Sequence, residues 1–489
     1  MSYYIGIDLG TSSVKAYLVD NDGKIIRENS RNYSWNEPNE GWKEISTETW
    51  WDSSCEVLLD LLRGIDGDDV KAIGVTGQMH SIVMLDKKGK SLRPVMMWND
   101  TRTADIVAEL KAAVENTDVD YLANIISTGS PAANMLWVKK NEPDIFKRLS
   151  KFLIGPDYIV YKLTGKYGTD YCEASTSSLY DTYKLCWSDV MRDYIGLSDD
   201  VYPKVRESTY IVGEVVQDIA KRLGLGRHTV VIAGTGDNPA ASIPTGCLGE
   251  NYPVFSIGTS GVLMFPRKKL DYTIKGKNIL FSFDKNCCKI LVQGVIQSCG
   301  ASYRWWNDNV LKNNSYTECE SVIDINNLGS NKVMFYPHLS GDKTIYSDPT
   351  LRGAFIGIGT DTKREDMTLA VMEGVAFALR QLATEMQLMN NGLCELRVIG
   401  GGSKSYLWMQ ILADVLKIKI VQMDGRGGAG YGVALLAAYA CGEIDSPEQM
   451  SDFAKSVKTF FEPREYNSML YDEKYNKYIK IHDALAHIK

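Results

Sequence analysis

Two stretches of this chain, about half its length apart, carry the same succession of apolar and small polar positions. Tyr4 to Lys15 reads as an apolar strand, a Gly10-Thr11-Ser12 turn and an apolar exit. Val230 to Phe265 ends in the same way, with Ile257-Gly258-Thr259-Ser260-Gly261 between two apolar runs. Glycine and hydroxyl residues between strands leave backbone N–H groups free to approach phosphate oxygens, which bulky side chains would block. One such turn is also what an ordinary hairpin prefers. Its recurrence, with Asp8 in the first copy only, points to two turns facing one polyphosphate across a cleft. Asp237-Asn238, an isolated acid–amide pair in the second stretch, then falls near the transferred phosphoryl group.

The remaining pattern predicts alternating strands and helices. A meander opens the chain, with strands around 3–9, 14–19 and 24–28 and a hairpin-type turn at Asn21-Asp22-Gly23. Ser46 or Thr47 caps a helix reaching Leu62, whose apolar residues recur at helical spacing, and Trp42, Trp50 and Trp51 pack beneath the sheet or face a sugar. Val70–Val75 is a buried strand entering Thr76-Gly77-Gln78-Met79-His80, followed by strands Ile82–Leu85 and Val95–Met97 and a helix Ala104–Val114. Leu122 to Glu173 reads as mostly helical, and Val230–Ala233 as a strand. A domain boundary is expected at about 245. Beyond it come a strand Ile290–Ile296 and a helix carrying Arg304, Trp305 and Trp306. Met367–Gly392 is a long helix apolar nearly all round, hence a packed element. Leu396–Ile399 leads through Gly400-Gly401-Gly402-Ser403-Lys404-Ser405 into a helix, a place where a flat base or a phosphate lies against backbone. Ala429–Cys441 is a small-residue helix suited to packing.

Composition narrows the class. At 489 residues, 44% hydrophobic and 24% charged, the chain is long enough for two substantial cores. A net charge of −7 argues against a nucleic-acid surface. No run approaches the ~18 apolar residues of a membrane span. MSYYIGIDLG lacks the basic start and apolar core of a signal peptide, so a cytoplasmic location without membrane partners is expected. The ten cysteines include no C-x-x-C, which favours reduced thiols over a metal site.

IGIDLGTSSVK, TGQMHSIVMLD, MMWNDTR, GTGDNPAAS, FSIGTSGV and GGGSKSYLWMQILAD resemble, in order from residue 4 to about 442, the FGGY carbohydrate kinases, most closely their xylulokinase members. GAFIGI, seven residues and then Asp366-Met367-Thr368-Leu369-Ala370-Val371-Met372-Glu373 fit a further signature of that family. The resemblance implies an α/β fold of two duplicated actin/hexokinase-like (ribonuclease H-like) domains, 1–245 and 246–489, flanking a catalytic cleft. It implies ATP and Mg²⁺ as cofactors, a small-molecule sugar as substrate, and it leaves a homodimer open. Asp237 is then the general base and Asp8 holds Mg²⁺, through water because this ion sheds its hydration reluctantly. Gly10, Thr11 and Ser12, with Lys15 adding charge, cradle one side of the phosphates; Gly258 and Thr259 cradle the other. Gly300 and Arg304 lie along the nucleotide and Gly401, Gly402 and Ser405 surround adenine. Met79, His80, Trp98, Asp100, Asn238 and Asp237 meet the sugar, although Asp100 and Arg102 would also pair with each other and Arg304 would also suit an exposed helix.

Two departures stand out. Asn134 replaces the lysine usual three residues before Trp137, and the L-x-G-E-R-x-P loop is altered to Leu339-Ser340-Gly341-Asp342-Lys343-Thr344-Ile345. The resemblance implies transfer from MgATP to the 5-hydroxyl of D-xylulose. Met79-His80-Ser81 keeps a gluconate kinase or another ketopentose kinase open, although Asn238 points back to a ketopentose. In a different class, actin-like and Hsp70-like ATPases use the same paired turns without a sugar.

Overall fold

The computed structural model describes residues 1–313, 315–389, 393–425, 427–454 and 457–486. Its frame is a pair of twisted sheets built on one plan. In the first, the antiparallel meander Tyr3–Leu9, Ser13–Asp20 and Ile25–Asn32 continues on its other side through Val70–Gly77 and Val230–Ile232, both parallel to Tyr3–Leu9, to the antiparallel edge Ile211–Glu214. In the second, Val254–Ile257, Gly261–Arg267 and Cys287–Ile296 form the meander, Glu395–Ile399 and Lys419–Met423 run parallel to Val254–Ile257, and Val457–Phe461 is the antiparallel edge. Lys277–Asp284 extends the second sheet beyond its meander. Each small-residue turn is thus the hairpin loop between the first two strands of its sheet.

The strands form where the apolar positions place them. Tyr3–Leu9 and Val70–Gly77 lie mid-sheet and are buried on both faces, which explains their near-continuous apolar character. Ile25–Asn32, at the edge, alternates half-buried and exposed residues. Helix Thr47–Leu61 is capped by Ser46, whose hydroxyl accepts from the Glu48 amide, and it buries Trp50, Val57 and Leu58 against the sheet. The long helix of the second half spans Arg364–Glu385, short of the expected Gly392: Gln387 takes a left-handed φ of 57°, which stops it. Residues 390–392 lie outside the described ones.

The expectation of mostly helix over Leu122–Glu173 fails at one place. Lys151–Ile154 is a strand that pairs with Ile82–Leu85 in a small four-stranded sheet with Glu44–Ile45 and Val95–Met96. A three-residue apolar run, Phe152–Ile154, bounded by Gly155-Pro156 does not show by periodicity whether it is strand or helix. This small sheet, backed by helices Ala104–Val114 and Pro131–Asn141, carries the loops that hold His80 and Trp98. Asn134 is fully buried there and donates from Nδ2 to the Gly129 carbonyl at 3.2 Å, a structural use of the departed position.

Helix Gly428–Ala440 joins the halves. It lies in sequence between the second sheet's strands Lys419–Met423 and Val457–Phe461 but packs on strands Tyr3–Leu9 and Val70–Gly77 and on helix Asp237–Ser242. The approach is set by absent side chains. A Cβ on Gly6 would lie 1.8 Å from the Gly430 carbonyl oxygen, and one on Gly432 1.8 Å from that of Ala240. Gly6→Ala is therefore expected to cost at least about 1–3 kcal/mol, read as a lowered urea midpoint. Gly401→Ala, where a Cβ meets nothing within 4 Å, should stay within about 0.5 kcal/mol.

Candidate active site

The first phosphate turn and the sugar-side loop are bound into one unit. Val70–Gly77 runs parallel to Tyr3–Leu9 with Gly77 opposite Leu9, so the residues after Gly77 emerge beside Gly10. The Gln78 amide donates to the Leu9 carbonyl at 2.9 Å, and Gln78 Nε2 donates to that of Gly10 at 3.2 Å. Ser81 Oγ donates to Gln78 Oε1 (3.1 Å) and accepts from the Trp98 amide (3.1 Å), while Trp98 Nε1 donates to Thr11 Oγ1 at 3.0 Å. Met79 is buried, and its sulfur accepts from Asn238 Nδ2 at 3.7 Å. The structure thereby gathers Thr11, Met79, His80, Trp98 and Asn238 around the position of Asp237. His80 adopts φ 72°, rare for a residue with a Cβ, three residues after the strand end at Gly77.

His80 is not a free hydroxyl partner. Its Nε2 accepts from the Lys277 ammonium at 2.9 Å, and the ring also meets the Thr176 backbone. Burial, followed by the positive charges of Lys277 and Lys343, holds its pKa well below the usual imidazole value, so the ring is neutral. Asp100 is corrected more fully. It is buried, and its carboxylate is bidentate with Arg102 and accepts from the Lys43 amide at 2.7 Å. Arg102 also pairs with Glu44 at 2.8 Å and lies over the Trp42 ring at 3.9 Å. Asp100 therefore builds the wall behind the site and has no lone pair directed at a sugar.

Asp8 and Asp237 form the acidic centre. Burial raises Asp237 to about 7, with the charge of Asp8 adding to the effect; burial raises Asp8 to about 6, against the lowering pull of Lys15 opposite it in the hairpin. Among the described residues, no side chain donates a hydrogen bond to the Asp8 carboxylate. A single carboxylate of this kind, completed by phosphates and water, suits Mg²⁺, whereas no group of three or more ligating side chains exists among the described residues. Lys15, exposed and directly opposite Asp8 on the same face of the hairpin, lowers the Asp8 pKa by its charge.

The second turn opens on a cavity of about 610 Å³ that brings together Gly258, Thr259, Gly300, Arg304, Gly401, Gly402 and Ser405. The Gly300 amide donates to the Gly258 carbonyl at 3.0 Å and that of Ala301 to Thr259 at 3.0 Å, which fastens the turn to the following helix. A Cβ on Gly300 would meet the Gly258 oxygen at 2.3 Å, and one on Gly402 the Ile257 side chain at 2.2 Å. Ser405 has a different employment from the one expected: its hydroxyl accepts from the Trp408 amide at 3.1 Å, capping the next helix, and donates to Glu320 at 2.7 Å. The polar group it presents to the cavity is the Glu320 carboxylate, which also accepts from Tyr303.

Sequence reasoning did not place Lys277 against His80, Lys343 beside Trp98, Glu320 on the second-turn cavity or Glu173 in the buried interior. Lys277 sits in a run with Lys268, Lys269 and Lys275 that reads as a solvated loop, and Glu173 in a hydroxyl-rich stretch without a motif. Lys343 stands in the altered loop, where Asp342 turns inward to accept from the Tyr346 amide at 2.7 Å while Lys343 reaches the Trp98 ring at 5.9 Å. A basic residue after an acidic one was the available signal.

Two duplicated sheets whose hairpin turns face one cleft, with an acid pair between them, define a phosphotransferase of the actin/hexokinase-like kind. The comparisons agree. The model of the FGGY family of carbohydrate kinases, N-terminal domain, matches residues 3–244, and that of its C-terminal domain residues 254–441, so the chain belongs to the FGGY family of carbohydrate kinases. It is 31% identical over 485 residues to a xylulose kinase of Bacillus subtilis, covering 99% of this chain and 97% of that one. A solved "xyloylose kinase" from Brucella ovis superposes with a TM-score of 0.89 at 29% identity over the whole of both chains. A gluconate kinase from Lactobacillus acidophilus gives the same TM-score at 24% identity over 99% of this chain and 98% of that one, so the fold does not choose the sugar. No helix among the described residues is long and apolar enough to cross a membrane.

The raised Asp237 pKa carries a stability consequence. Because its folded value of about 7 lies above the ordinary 3.8, its contribution is fully present below about pH 4 and is lost as pH rises through 7. Asp237→Asn, neutral throughout, should therefore stabilise the ligand-free protein at pH 8 by on the order of 1–4 kcal/mol and leave it unchanged at pH 4, read from denaturation at both values. Equal stability at pH 8 would show an unstrained carboxylate.

Proposed function

We propose that the chain transfers the γ-phosphoryl group of MgATP to the 5-hydroxyl of D-xylulose, with 1–245 and 246–489 as the two domains that close on the substrates. The curated relatives over its full length are xylulose kinases. The observation that supports the acceptor reading is the Asn238–Met79 contact, which sets the acid–amide pair against the Met-His wall. Asp237 accepts the proton of the attacking hydroxyl as the new P–O bond forms and the bond to the ADP oxygen breaks. A base with a pKa near 7 is matched to that task. Mg²⁺, held from Asp8 through water, would neutralise charge on the phosphates. Gly10, Thr11, Ser12, Gly258 and Thr259 supply backbone amides on either side, and the cavity between Gly300, Arg304, Gly401 and Gly402 takes the nucleoside. Trp98, tied to Thr11, sets the sugar against the first turn.

A gluconate kinase is the second reading, favoured by the two lysines, Lys277 and Lys343, close to His80. D-xylulose, L-xylulose, D-ribulose, L-ribulose, glycerol and gluconate assayed with MgATP should rank D-xylulose first in kcat/KM. A tenfold lead by gluconate or a ribulose, about 1.4 kcal/mol of transition-state preference, overturns the sugar and leaves the kinase. Absence of sugar-stimulated ATP turnover would favour an actin-like or Hsp70-like ATPase. Asp237→Ala should retain MgATP binding and lose on the order of 10²–10⁴-fold in rate. Domain closure predicts a smaller radius of gyration by small-angle scattering with sugar and a non-hydrolysable nucleotide than without them.

A further inference from the structure

Among the described residues, Glu320 is the one carboxylate on the wall of the cavity beside the second turn. It stands near the end of the short helix Tyr316–Ser321, and each of its oxygens is held from a different element. Oε2 accepts from the Ser405 hydroxyl at 2.7 Å and Oε1 from the Tyr303 hydroxyl at 3.2 Å. Burial raises its pKa, and those two hydroxyls, Ser405 more than Tyr303, draw it back down. Each carboxylate oxygen has a second lone pair. The side chain is only partly buried, so that remaining capacity lies on the cavity and not in the core. Its place along the cavity follows from its two fasteners. The Gly300 amide donates to the Gly258 carbonyl, and a Cβ on Gly402 would run into Ile257, so both glycines stand against the phosphate turn. Tyr303 and Ser405 each lie three residues farther on, and Glu320 joins them at the end away from the turn. Beside Gly402 is Gly401, where a Cβ would meet nothing within 4 Å, a wall without side chains along which a flat base fits.

We propose that Glu320 reads the nucleotide base, accepting a hydrogen bond from the 6-amino group of adenine and rejecting purines that carry an oxygen there. The proposal rests on the kinase reading above, in which this cavity takes the nucleoside, and names what selects the base. Adenine presents a donor at position 6, whereas guanine and hypoxanthine present an acceptor. Against a carboxylate whose two oxygens are already fixed by hydroxyl donors, a 6-oxygen would stand lone pair to lone pair and leave both groups unpaired. Tyr303 and Ser405 act through Glu320 as positioning residues: they hold the carboxylate in one orientation before the base arrives.

Calorimetric titration of the intact chain with the magnesium forms of ATP, ITP, 2′-deoxy-ATP and purine riboside triphosphate, which has no 6-substituent, tests this without a sugar. Wild type should bind ATP tighter than ITP by on the order of 10–100-fold. Glu320→Gln, whose amide can turn a donor toward a 6-oxygen, should lower that ratio about tenfold or more. Its affinity for purine riboside triphosphate should stay within about twofold of wild type, which a merely structural loss would not spare. Tyr303→Phe removes one fastening bond and should move the ATP-to-ITP ratio in the same direction by a smaller factor. The wild-type comparison stands even where a variant fails to fold: ATP and ITP bound within about twofold of each other would overturn the proposal. So would an unchanged ratio in Glu320→Gln, or a loss of ATP affinity in that variant that vanishes with 2′-deoxy-ATP, which would put the carboxylate on the ribose. Binding of none of the four nucleotides would remove the nucleotide reading of the cavity itself, and the proposal with it.

Discussion

The close approach of helix Gly428–Ala440 to the first sheet is the constraint on which the site depends. Gly6, Gly430 and Gly432 bring a helix, a strand and the helix that begins at Asp237 into backbone contact without side chains between them. Asp8 lies two residues beyond Gly6 on the same strand, and Asp237 three before Ala240, whose carbonyl oxygen meets Gly432. The two acids of the centre are thus positioned through one junction, and burial by that junction raises both of their pKa values. Cohesion and catalysis pull in opposite directions here: a closely packed acid pair is an unfavourable place to hold two ionised groups, and a favourable one to hold a base near neutrality.

Around this junction, polar groups are used in two ways. Some are satisfied inside the protein and serve as walls: Asp100 with Arg102, and Ser405 with the helix it caps. Others lack a hydrogen-bond partner although buried, among them both oxygens of Glu173 and the hydroxyl of Thr76. The nucleotide side is shaped by glycines and by one carboxylate already bonded twice, a slot suited to a flat base.

Much of this was legible along the chain, for a physical reason. Strands Tyr3–Leu9, Val70–Gly77 and Ile82–Leu85 are near-continuous apolar runs, and the turns need small residues whose presence is itself the signal. The duplication shows because both hairpins face the same steric demand. Lys151–Ile154 was not legible, being too short for its period to show. Nor was the capture of Lys277: that lysine looks like its solvated neighbours, and only the bonding of its strand Lys277–Asp284 across the cleft, to Ser175, Ser208 and Thr209, makes it an inner residue. Asp100 and Ser405 show the complementary case. Arg102, two residues on, takes up the Asp100 carboxylate with the Lys43 amide, and Ser405 on the cavity wall is bonded to Glu320, a partner distant in sequence.

The anchored strand also bears on how the cleft moves. If the two sheets rotated freely about the linking segment near 245, the Lys277–His80 hydrogen bond and the contacts of Leu280, Ser282 and Phe283 would break at each opening. Those contacts lie on the same side of the cleft as the glycine junction, so strand and junction together define an edge at which the halves stay joined. Motion is then confined to the far side, where Gly258, Thr259 and the nucleotide cavity approach or leave Gly10 and Asp8. If the halves close as proposed, the side that stays joined holds the proposed sugar wall throughout, and closure completes the phosphate cradle and keeps water away from the phosphoryl group until acceptor and base are in place.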